Sequence, residues 1–283
     1  MVCGTFGWNR LKVIPLVLVT AAGAAHSQTV AEIEAWREAG LPLTSGRENA
    51  ALQYYRAWSV GSAMFDDENR QKLDLSDGTW VPDQDVASWL SVNDETLDMI
   101  QDATRLTRCD FGVAYEKGIM ALLPHLGTLR SSARFLIADA RRLRSIGEID
   151  AAAARVSATL RLAQHASQDT VLIGSMVTIA IAKLAEQEAI MLLDQNMVSR
   201  DAAAEMIDAI NALLGDDPAG MRAAVAGERD YFGGWLKANF RGPDAVDRLR
   251  EIVQIGEGND DRLLEQLRGV PIEIAYAQMD RAY

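Results

Sequence analysis

The sequence predicts an all-α protein, an irregular stack of antiparallel helical hairpins forming a solenoid or bundle. Three observations carry that expectation. Leu129, Ala133, Leu136, Ala140 and Leu143 recur at alternating steps of four and three residues, which lays one apolar stripe along a single helix face. A second stripe, Ile149, Ala152, Val156, Leu160 and Ala163, follows after a short break at Gly147. No stretch has the period-two alternation and β-branched enrichment of several strands, and Asp77-Gly78 lacks strand-like flanks.

In chain order, residues 1–27 read as a signal peptide. Arg10 and Lys12 precede the apolar run 13–22, and Ala25 and Ser27 supply the small residues of a cleavage site. The mature chain is therefore expected to begin near Gln28 and to be periplasmic or extracellular, and residues 28–283 to make one helical domain with a softer part at 244–283. Residues 30–39 read as a short helix ended by Gly40, and residues 48–64 as a second whose aromatic flank, Tyr54, Tyr55 and Trp58, is expected to be buried. Residues 65–84 are polar and predict the longest irregular and most mobile stretch. A helical turn is predicted at 85–90 and a fuller helix at 93–106, N-capped by Asn93. Residues 108–118 have no helical period, and this loop is the expected site.

The hairpin about Gly147 needs a left-handed residue there, and Arg141, Arg142 and Arg144 precede it where cations suit the negative end of the helix dipole. Ala140, Ala152 and Ala153 allow the two axes to approach closely. Residues 171–182 are apolar around the whole circumference, so the third helix, 170–193, is predicted to be the central buried one. Its apolar run is too short for a membrane span, which needs roughly 20 such residues. A helix at 199–214 is capped by Ser199 and closed by Gly215, and Pro218 starts the next, which Gly233-Gly234 should weaken. Residues 239–243 break the pattern, and three shorter helices are predicted beyond them.

Ala140, Leu143, Gly147, Ile149, Ala152 and Val156 resemble the turn and second-helix positions of a tetratricopeptide repeat, whose period is about 34 residues. More broadly, residues 48–55, the Arg108-Cys109-Asp110-Phe111 run, the Leu122-Leu123-Pro124-His125-Leu126 run and the helices through Leu193 look like a family of uncharacterised, exported bacterial helical proteins. That resemblance implies a fold and no catalytic residues.

Composition bounds the function. The chain has 283 residues, 49% of them hydrophobic, and a formal charge of −12 that becomes −14 once Arg10 and Lys12 leave with the signal. An acidic surface without a basic, aromatic-interleaved patch excludes nucleic acid as the expected partner. Loss of Cys3 with the signal leaves Cys109 alone, so no internal disulfide is available. His125 and His165 are not spaced as metal ligands, and no Cys-x-x-Cys, Gly-x-Ser-x-Gly or dinucleotide motif occurs, so no metal, cofactor or catalytic set is assigned.

The expected binding residues are Cys109, Asp110, Tyr115, Glu116 and His125. Cys109, Asp110 and His125 could make a nucleophilic triad, but adjacent side chains usually diverge, which favours a buried thiol beside a turn-capping carboxylate. Asp110, Glu116 and Glu228 are candidates for paired acids, with a semi-buried salt bridge to Arg229 as the plainer role for Glu228. The expectation is a helical binding or scaffold protein for an envelope protein or peptide. The alternative is a helical hydrolase acting on envelope polysaccharide or peptide, and a third reading is a subunit that buries an exposed stripe in a homo-oligomer.

Overall fold

A computed structural model describes residues 48–76, 78–194 and 198–242. The signal peptide, the helix at 30–39 and the segment 244–283 lie outside the described residues. Within them the chain is helical and has no strand, its one bridge joining Asn49 to Arg108. No described helix is long and apolar enough to cross a membrane.

The first helix, α1, is Ala50–Val60, capped by the Asn49 side chain. Its aromatic flank is core as expected for Tyr54 and Trp58, whereas Tyr55 is 42% exposed. A 3-10 turn, Ser62–Phe65, and the short α2, Asp67–Gln71, follow. The polar stretch predicted to be mobile is pinned instead. Leu73 and Leu75 are buried in the core, and Arg134 and Arg141 donate to the Leu73 and Trp80 carbonyls. Two leucines among polar neighbours are enough to anchor a loop that satisfies its backbone on arginine side chains.

Helices α3, Gln84–Val92, and α4, Asp94–Ala103, lead to the 107–114 loop and a 3-10 turn at Tyr115–Met120. Asn93 sits at the predicted cap of α4, but its side chain donates back to the Trp89 carbonyl and makes no cap bond. The long hairpin is α5, Pro124–Ser145, and α6, Ile149–Ala166, turned by Gly147 at φ +86°. Ala140, Ala152 and Ala153 have no exposed surface, the close approach expected of them.

Helix α7, Leu172–Asp194, is not the central buried helix. It shows Leu172, Ile173, Met176 and Ile179 to the outside and buries Gly174, Ser175 and Thr178. That place belongs to α6, which packs on α5, α7 and on α8, Arg200–Leu214. Small residues let α7 lie close to α5 and α6, and this outweighs the transfer of its larger apolar side chains. A 3-10 turn, Pro218–Gly220, precedes α9, Met221–Gly227, which passes through a π turn, Glu228–Phe232, into α10, Gly233–Asn239. The Gly233-Gly234 pair thus does not interrupt the helix, and the irregularity falls just before it.

Candidate functional site

The 107–114 loop is fixed from two sides. Asn49 receives the Asp110 N–H and donates to the Asp110 carbonyl, both at 2.9 Å, while it caps α1. The Ala50 N–H donates to the Arg108 carbonyl at 2.8 Å. On the other side Gln168, just past α6, accepts the Cys109 N–H and donates to the Thr107 carbonyl. One loop is therefore clamped between two helix ends, and its backbone polar groups are satisfied without a ladder.

Behind the loop lies a buried hydrogen-bonded group centred on Asp169. One carboxylate oxygen accepts the Tyr115 hydroxyl at 2.7 Å and the other the His125 Nε2 proton at 2.6 Å. An ionised carboxylate only accepts, so the His125 proton sits on Nε2. Phe111 stacks on the His125 ring at 4.2 Å and Tyr115 on Tyr231 at 5.1 Å. Next to this group, His165 donates through Nε2 to the Leu106 carbonyl at 2.6 Å and accepts the Tyr54 hydroxyl at Nδ1 at 2.7 Å. Burial pushes the His165 ring down to about 4, against the opposing pull of the Leu106 carbonyl.

A cavity of about 450 Å³ opens between this wall and the 217–223 turn. Cys109, Asp110 and Tyr115 of the expected set line it, together with Arg108, Gln168, Asp169 and Thr170. The Thr170 hydroxyl and the Arg108 Nε are buried and bond to nothing within the protein. A second cavity, about 360 Å³, lies across Tyr115 and is bounded by Leu123, Ile173 and Phe232. Gly227 lets α9 come this close, because a Cβ there would sit 1.9 Å from the Thr170 carbonyl oxygen.

No family model, curated protein or solved structure matches the chain. Function is therefore argued from these residues.

The expected set is only partly brought together. His125 lies behind the cavity wall, held by Asp169 and not by Asp110, and Glu116 is exposed and does not line the cavity. Asp110 closes its own turn, accepting the Gly112 N–H and facing Arg108. The Cys109–Asp110–His125 triad does not form. Burial, then the Asp169 and Asp110 carboxylates, push the Cys109 thiol well up, so it holds its proton and is a poor nucleophile. Glu228 does not pair with Arg229, which faces Asp230; it accepts the Leu172 N–H in the first turn of α7. Among the described residues no three acidic, histidine or cysteine side chains converge to hold a metal ion.

Sequence reasoning missed Gln168, Asp169 and Thr170, the residues that make the wall. The available signal was a polar run at a corner between two buried helices, where a carboxylate must find partners or stay out of the core.

Proposed function

We propose that the protein is an exported helical binding protein, and that the cavity beside the 107–114 loop receives a segment of an envelope protein or peptide. The tetratricopeptide-like character of the α5–α6 hairpin belongs to the same reading. The observation that supports it most is that the acid and base groups of the wall satisfy one another beside an open cavity. Asp169 has one oxygen on Tyr115 and one on His125, and His165 is held at both nitrogens. Such groups give a rigid surface, not a proton to exchange. Thr170 and Arg108 line a space large enough for a side chain or chain end, and the unpartnered Thr170 hydroxyl and Arg108 Nε lie buried behind its surface. A hydrolase working through paired carboxylates needs one carboxyl free to give or take a proton, and the buried Asp169 is fully engaged.

Selection of random displayed peptides against the purified protein tests this. Ala223 lines the cavity, and Ala223→Trp fills it while keeping the backbone N–H that Asp217 accepts. Selected peptides should lose about tenfold or more in affinity for Ala223→Trp, whose helicity is checked by circular dichroism. Peptides that bind this variant undiminished, or no selection at all, would overturn the proposal.

A further inference from the structure

Helix α7 carries an apolar face that nothing among the described residues covers. Leu172, Met176 and Ile179 at one end and Ile190 and Leu193 at the other are 38 to 66% exposed. Lys183 and Glu186 lie between them, exposed, and have no ion-pair partner among the described residues. The steps along this line run four, three, four, three, four, three, the spacing of a coiled-coil seam. Through other faces α7 is bound to α5 and α6 and also packs on α9 and the 218–220 turn, and among the described residues the seam itself stays exposed.

We infer that this face pairs with α7 of a second copy, antiparallel, about a two-fold axis between residues 184 and 185. The order of residues selects that occupant. Reversal about this point sets Lys183 against Glu186 of the second copy, Ile179 against Ile190 and Met176 against Leu193. In an antiparallel seam each layer joins one a position to one d position, and each of these three layers does so. The salt bridge occurs twice by symmetry, flanked on each side by apolar layers. A parallel pair would put Lys183 on Lys183 and Glu186 on Glu186, which repel. A lipid surface would have to accept the Glu186 carboxylate at the centre of the face, from a chain of net charge −12. The inference is independent of the cavity and its ligand.

Sedimentation equilibrium of the purified protein reads the outcome. The wild type sediments as a dimer. Lys183→Glu and Glu186→Lys each place like charges together at both symmetric contacts and weaken dimerisation by about ten- to a hundredfold. The double exchange K183E/E186K restores the dimer, and so does an equimolar mixture of the two single variants, as a heterodimer. Both changes are on exposed positions, and circular dichroism confirms that helicity is kept. A monomeric wild type overturns the inference, as does a dimer that both single reversals leave intact.

Discussion

His165 is held in its neutral form by geometry: Nε2 donates to the Leu106 carbonyl and Nδ1 accepts the Tyr54 hydroxyl. With the folded-state value lowered from 6.5 to about 4, the unfolded chain binds a proton between those values that the folded chain refuses. Stability is therefore fully present above about pH 6.5 and lost as pH falls toward 4, by about 3 kcal/mol for this one ring. Urea unfolding at pH 7 and pH 4 should show that loss in the wild type and a smaller one in His165→Gln. Equal losses would mean that other groups carry the acid sensitivity. His165 could be seen in the sequence as a lone histidine on a helix, but its partners lie 59 and 111 residues away along the chain, and no local pattern names them.

At the scale of the element, the α5–α6 hairpin is the part most dictated by local sequence. Its stripes repeat at helical spacing, and Gly147 adopts the positive φ that the two-helix turn requires. A Cβ at Gly147 meets nothing within 4 Å, so Gly147→Ala isolates the backbone strain from packing. The expected cost is about 1 kcal/mol, read as a lowered urea midpoint with an unchanged m-value. No loss of stability would show that the turn relaxes. The arginines ending α5 do more than the expected dipole interaction. Arg142 reaches Asp139 and Asp94, and Arg141 and Arg144 both reach Glu188 on α7. The dipole argument placed these cations correctly, yet it could not name their acids.

Across the whole molecule, two fully buried carboxylates tie the stack together. Asp139 on α5 receives Arg142 and Arg155, and Glu188 on α7 receives Arg141 and Arg144, so α5 is joined to α6 by one network and to α7 by the other. Glu188→Gln leaves two buried guanidinium groups without their counter-charge and should cost about 3–5 kcal/mol, with little response to added salt because water and ions do not reach the pair. Thermal and urea unfolding check both points; a salt-dependent or negligible loss would mean that the pair is solvated. By itself, the sequence determined that the described residues are helical and without strands, the positions of most of their helices, the Gly147 turn and the 108–118 stretch as a break in the pattern. Helical period and turn chemistry are properties of a few neighbouring residues, so they are written locally. Only the tertiary structure decided that α6 and not α7 is central, that Leu73 and Leu75 anchor the polar stretch, and that Asp169 joins His125 to Tyr115. A helix greasy on every side does not say which side is inward. That choice follows from how closely the backbones can approach and from where buried charges find partners, and both depend on residues far away in the chain.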